Sequence, residues 1–216
     1  MISASVRVGV AVVTAILCLS SSAGAQSAYV GVSALADIAR FESSGALEGS
    51  SGGQAVGGAL RAGAAISDRL GIDVEFVRPG KVKEERSFGQ AFGMPTGLLP
   101  TPVVSTTARR FSSLTTMLWI RQVFGSRADV VYLGGMAMVR TTASVYLGHP
   151  AVRVGLSGGD GQSVTYGAAP ALGLDARVTL TDHLRLVPGL RLLMMDEGNR
   201  SGWLTRPSLG LQWGFH

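Results

Sequence analysis

The side chains that most often carry catalysis are few in this chain and poorly placed for it. Its three histidines, His149, His183 and His216, lie far apart, and its one cysteine, Cys18, sits in the N-terminal segment. A serine or cysteine hydrolase needs its nucleophile within hydrogen-bond reach of a basic imidazole. His149 is followed by Pro150 and has no serine two residues away on the same side of a strand, so it reads as a loop histidine and no catalytic residue is assigned. Histidines this scattered, with no cysteine after Cys18, match none of the ligand spacings of a metal centre. The run Gly155-Leu156-Ser157-Gly158-Gly159-Asp160-Gly161-Gln162 is glycine-rich like a phosphate cradle but lacks the Lys-Ser/Thr pair that completes one. Asn199-Arg200-Ser201 fits the glycosylation pattern, which is short enough to occur by chance. No cofactor is expected.

What the chain does hold is charge placed singly within apolar stretches. Hydrophobic residues make up 46% of the 216, charged residues only 15%, and there are 30 glycines; soluble domains carry roughly 25% charge and about 7% glycine. This composition points to lipid contact or a large buried core. The net charge of +5 does not point to nucleic acid, because the arginines form no clustered stripe with interleaved aromatics.

Those charges are positioned by a two-residue period. Leu70, Ile72, Val74 and Phe76 alternate with Gly71, Asp73 and Glu75, and Leu60, Ala62, Ala64 and Ile66 with Arg61, Gly63 and Ala65. The same period runs through Leu184 to Met194 and closes the chain in Leu209, Leu211, Trp213 and Phe215. Strands are therefore expected at about 28–38, 55–66, 70–78, 111–124, 130–141, 163–178, 184–195 and 203–215. Short breaks at Ser67-Asp68-Arg69, Ser126-Arg127-Ala128-Asp129 and Thr181-Asp182-His183 read as tight turns. Longer segments are expected at 42–54, 78–110, 142–162 and 196–202. The longest contains the basic residues Lys81, Lys83, Arg86, Arg109 and Arg110, expected on a surface loop. At the N-terminus, Arg7, an apolar run from Val8 to Leu19 and Ala23-Gly24-Ala25 have the three regions of a secretory signal peptide. Residues 1–25 are read as that leader and 26–216 as one domain.

No later stretch has 18 consecutive apolar residues, so strands must make any lipid contact. A sheet in hydrocarbon has to close, because an open edge leaves backbone amides unsatisfied. Short turns alternating with long loops, and strands near the ~9–11 residues that span a bilayer when tilted, predict an all-β fold: a closed, antiparallel, up-and-down transmembrane β-barrel of about eight strands. If the apolar face meets lipid, strand parity turns Arg61, Asp73, Glu75, Asp37, Arg121, Asp175, Arg177, Arg185, Arg191 and Arg206 into the lumen as a polar network. A hairpin centred on Asp68 sets Arg61 opposite Glu75 as an expected ion pair.

From the hairpin spanning Gly58 to Glu75 and the closing Leu209-Gly210-Leu211-Gln212-Trp213-Gly214-Phe215, the chain resembles the small eight-stranded outer-membrane barrels exemplified by outer-membrane proteins A and X. That resemblance implies a Gram-negative-type outer membrane and contact with its lipid and lipopolysaccharide. It also implies assembly by the insertion machinery, with Trp213 and Phe215 as the signal although the chain ends on His216. A monomer is expected, with Asp68, Asp129 and Asp182 facing the periplasm. The expected function is a structural or interaction barrel with a filled lumen and exposed loops. The alternatives are a lipid-modifying enzyme, a narrow pore and a soluble lipocalin-like barrel.

Overall fold

The computed structural model describes residues 27–43, 49–88, 103–148, 162–196 and 200–215. The expected leader 1–25, His149, His216, Asn199 and residues 155–161 lie outside them. Nine strand segments follow one another: β1 Ser27–Ser43, β2 Gly49–Ala65, β3 Leu70–Pro79, β4 Val82–Phe88, β5 Val103–Phe124, β6 Ala128–Gly148, β7 Gln162–Thr179, β8 Leu184–Asp196 and β9 Arg200–Phe215. All pair antiparallel in the order β3-β2-β1-β9-β8-β7-β6-β5-β4, and β3 also pairs with β5, which closes the sheet. Since β3 and β4 lie end to end along β5, the barrel is eight-stranded. Its first and last strands meet where Ala28 pairs with Phe215.

One end of the barrel carries the three tight turns. Two of them use the same chemistry: Ile66 and Leu180 donate their N–H groups to the Leu70 and Leu184 carbonyls at 2.9 Å. The Ser67 and Thr181 hydroxyls accept from the Leu70 and Leu184 N–H groups at 3.2 and 3.1 Å. Such side chains substitute for a backbone turn partner. In the third turn Gly125 has a φ of +70°, open to glycine without steric cost.

At the other end the strands run further than their apolar pattern indicates. β1 continues to Ser43, β2 begins at Gly49, β5 begins at Val103 and β6 continues to Gly148. The expected loop 78–110 is corrected accordingly: Lys83 and Arg86 lie in β4, Arg109 and Arg110 in β5, and exposed Lys81 just before β4. Val103-Val104-Ser105-Thr106-Thr107 is rich in residues that favour pleated backbone even without an apolar face. Pro79-Gly80, within the expected loop 78–110, is a β-bulge. Val77 faces Ser113 and Val82 faces Arg109, so Arg78 to Lys81 oppose only Arg110 to Ser112.

The outer wall is apolar between the two ends. Val32, Leu60, Leu118, Met138, Leu172 and Leu209 point outward, each more than half exposed. A surface of this extent is far larger than the patches a soluble monomer exposes. Trp203 and Trp213 project from the same face of β9. At about 3.4 Å per residue and a roughly 40° tilt they stand about 26 Å apart along the axis, close to the ~25 Å band between aromatic girdles of membrane barrels.

Candidate functional site: the filled lumen

Among the inward residues of the turn half a charged cluster is drawn from most of the staves, beside an apolar patch of Met117, Trp119, Val131 and Leu133 on β5 and β6. Arg61 (β2) reaches Asp73 (β3) through Nε and Asp175 (β7) through Nη1, both at 2.5 Å. Arg191 (β8) grips the same Asp175 with two bonds, Nη1 to Oδ1 at 2.6 Å and Nη2 to Oδ2 at 3.2 Å. Its Nη2 also lies 3.6 Å from Glu75. Tyr29 donates its hydroxyl proton to Asp73, and Arg177 donates to the Tyr29 oxygen at 3.4 Å. The Arg177 guanidinium stands 5.1 Å from the Tyr29 ring centre and 5.2 Å from that of Trp119, within cation–π range. One step toward the loop end, Arg206 binds Asp37 at 2.5 and 3.3 Å and Ser113 at 2.9 Å. At the turn end Arg121 pairs with Asp129 at 2.8 Å, and Arg185 shares the inward face of β8, half-buried.

Backbone spacing makes room for this cluster. A side chain at Gly189 would collide with the Asp175 carboxylate, so only glycine lets that carboxylate lie against the β8 backbone. Asp37, Asp73, Asp175, Arg177, Arg191 and Arg206 are all 2% exposed or less. Charges this buried are tolerable when each is paired and hydrogen-bonded, and removing one partner leaves the other uncompensated. The remaining space is small. A cavity of about 20 Å³ borders Arg61, Glu75, Ser208 and Gln212, which suffices for one water at the ~10–15 Å³ threshold.

Arg61 and Glu75 are register partners across β2 and β3. The expected ion pair between them is nevertheless corrected: the Arg61 salt bridges run to Asp73 and Asp175, and Glu75 faces Arg191. Closure brings β7 and β8 across the lumen, a relation that hairpin geometry alone does not contain. Asp129 is also corrected from a turn tip to a buried strand residue, because β6 starts at Ala128. Sequence reasoning missed Tyr29, Ser113 and Gln212 as members. The parity of β1 and β9 marks Tyr29 and Gln212 as inward, so that signal was present.

The loop half of the lumen departs from the expected polar filling. Phe41 and Phe111 meet with ring centres 5.5 Å apart, and Val82, Ala137, Val139, Ala169, Ala171, Leu193, Met195 and Leu204 pack with them. Arg109 lies over Phe41 at 5.9 Å, so it faces inward rather than outward from a surface loop. Trp213 and Phe215 point outward at the turn end, and Trp213 stacks on His183 at 5.7 Å.

With this geometry in hand, solved structures provide a comparison. The outer membrane protein OprG from Pseudomonas aeruginosa is similar over 89% of this chain and 97% of its own, at 12% identity and a TM-score of 0.52. The fold is that of a small outer-membrane barrel. Neisserial surface protein A covers 86% of this chain and 97% of its own, at 14% identity and a TM-score of 0.50. No family model and no curated relative matches the sequence. At these identities the likeness is one of fold.

Proposed function

We propose that the chain is an outer-membrane barrel of Gram-negative type that acts as a structural and interaction protein, neither catalysing nor conducting. The observation that carries this reading is the combination of an apolar outer wall with a lumen closed by the Arg61–Asp73–Asp175–Arg191 cluster. Water-filled conduction needs an open polar bore, whereas an eight-stranded barrel is narrow enough for side chains to fill. On this reading residues 1–25 are removed on export, and Trp213 and Phe215 present the last strand to the assembly machinery. The loop end, with Lys81, Lys83 and Arg86 near it, faces lipopolysaccharide and the environment, and the protein is a monomer.

Fractionation with outer membranes, a folded band in unboiled detergent gels and the absence of steady current in planar bilayers are the expected results. Recovery in the soluble periplasm would remove the membrane reading. Nanosiemens-scale conductance would replace the filled barrel with a pore, and release of acyl chains from lipid A would make it an enzyme.

A further inference from the structure

The outer wall carries its charge at one edge only. Among the outward strand residues whose side chains are described, the charged ones are Arg40, Arg78, Arg110 and Arg140 with the carboxylates Glu42 and Asp196, and all lie toward the loops. Both carboxylates face Ser201, Glu42 from β1 and Asp196 from β8, close to Arg40 and its partner Trp203. Around the wall, β3, β5 and β6 carry Arg78, Arg110 and Arg140 and no outward carboxylate among the described side chains.

These three arginines surround Ser112. Arg140 is its register partner on β6, Arg110 is the next outward residue on β5, and Arg78 follows Val77, the partner of Ser113, on β3. Facing cross-strand residues stand ~4.5–5.5 Å apart at Cβ and diagonal ones within ~7–8 Å, so three guanidinium groups share one small hydroxyl floor. None of the three makes a salt bridge among the described residues, and Arg110 Nε is buried without a hydrogen-bond partner. The Arg140 guanidinium lies 5.9 Å from the ring centre of Tyr166, its partner on β7. Like charges set side by side on a sheet repel, and a buried polar atom left without a partner points to one that is missing.

The register fixes how high on the wall this patch stands. Followed from Ala28 through Ala64, Ile72, Leu118, Gly134, Leu172, Leu192 and Thr205, it returns to β1 at Ile38, ten residues nearer the loops. Such a stagger is what closes a sheet of tilted strands. Trp203 pairs with Met194, and the β7–β8 seam stops one pair short of it, at Leu193 with Ala171, where Pro170 has no N–H to give. Continued past that point, the register runs from Met194 to Pro170 and on to Met136. Three staves of stagger place the β6 residue level with Trp203 about four positions loopward of Met136, at Arg140. Arg110 and Arg78 fall within about two residues of the same height. The patch therefore lies in the loop-side aromatic girdle, where an arginine on the lipid face costs little. Directly beneath it the register row Phe76, Leu114 and Met138 is apolar.

We infer that Arg78, Arg110 and Arg140 form a recognition site for a phosphate of lipid A, the membrane anchor of lipopolysaccharide. The phosphate sits over Ser112, which donates its hydroxyl, and the acyl chains descend over Phe76, Leu114 and Met138. Arginine forks match phosphate oxygens two at a time, and Tyr166 holds the Arg140 fork against its ring. Three fixed cations at the girdle also do what a bridging divalent ion otherwise does between anionic head groups. Arg40 lies outside the site because Glu42 and Asp196 are close enough to offset its charge.

This inference rests on the outer-membrane reading above, with the loop end outward, and its test keeps the two apart. The protein, shown to be folded by its unboiled gel mobility, is titrated in detergent with bis-phosphorylated lipid A, with the same lipid stripped of phosphate and with phosphatidylglycerol. EDTA is present to remove bridging cations, and native mass spectrometry counts the bound lipid. Phosphorylated lipid A is expected to bind about tenfold tighter than the stripped form, as one charge-assisted contact would give. Arg78→Gln, Arg110→Gln and Arg140→Gln together should remove that difference, and Arg40→Gln should leave it unchanged. Equal affinity of the folded wild type for the two forms overturns the site without need of any variant. A difference that survives in the folded triple variant, or that Arg40→Gln removes as well, also overturns it. Phosphatidylglycerol binding as tightly as phosphorylated lipid A overturns the lipopolysaccharide occupant, as does displacement of lipid A by an equal concentration of inorganic phosphate. Recovery of the folded protein from the soluble periplasm overturns the membrane reading instead.

Discussion

The two halves of the lumen differ in that buried ion pairs fill much of one and are replaced by apolar packing in the other. Toward the turns, Arg61, Asp73, Asp175, Arg177 and Arg191 exclude solvent through charge pairing; toward the loops, Phe41, Phe111, Leu193 and Leu204 do it through packing. A charged cluster demands particular partners, so it ties specific staves together across the lumen. An apolar cluster demands only volume, so it accepts neighbours of many shapes and tolerates a parted wall beside it. The ladder between β7 and β8 ends beside the apolar half, at Ala171 with Leu193; in the charged half it skips only the two pairs at Pro188, where Asp175 and Arg191 still join the same two strands.

The comparison is broken most directly at Asp175. Replacing it with alanine leaves Arg61 and Arg191 each short of a carboxylate and is expected to lower unfolding stability by about 3–5 kcal/mol in urea titrations. Exchanging Arg61 and Glu75 as Arg61→Glu with Glu75→Arg should not restore wild-type stability, because a carboxylate at position 61 would face Asp73 and Asp175. In the apolar half, Leu204→Ala removes a side chain with no exposed surface and should cost about 3 kcal/mol through lost burial and the cavity left behind. A larger loss at Leu204 than at Asp175 would reverse the ranking of the two halves. Pro170→Val restores a donor to the seam and should raise stability by about 1 kcal/mol, measured as a shift in the same unfolding midpoint. The smallest effect is expected for Arg121→Ala at the turn end. Its pair with Asp129 is partly solvated and should contribute about 0.2–1 kcal/mol, decreasing in high salt.

The charged half was legible before the barrel was. Arg61, Asp73 and Glu75 stand out because their neighbours on the other face are apolar, so the period of two is visible residue by residue. The apolar half was not. In Ala137-Met138-Val139 and Leu192-Leu193-Met194-Met195 both faces are apolar, one to lipid and one to the lumen, and alternation disappears. The three tight turns, the eight strands and the inward parity followed from local pattern. The partner of Arg61 did not, because Asp175 is brought to it only by closure. The bulge at Pro79-Gly80 imitates a loop for a similar reason, since residues that stop a ladder and residues that merely kink it are the same types.

Closure also bears on how fast the molecule can be made. With β3 and β4 counted as one stave, every seam but one joins staves adjacent along the chain, and the exception pairs β1 with β9, Ala28 with Phe215. Contacts between chain ends form late because the intervening polymer must first be ordered. Arg61 on β2 and Asp175 on β7 belong to the same late event. Until it happens Arg61 and Arg191 have only their hairpin partners, Asp73 and Asp175; afterwards Arg61 also reaches Asp175, and Arg206 reaches Asp37. The Arg61–Asp175 and Arg206–Asp37 pairs thus work as a latch that engages only once the ring is complete, so the time a nascent sheet spends with bare edges is governed by delivery of its last strand.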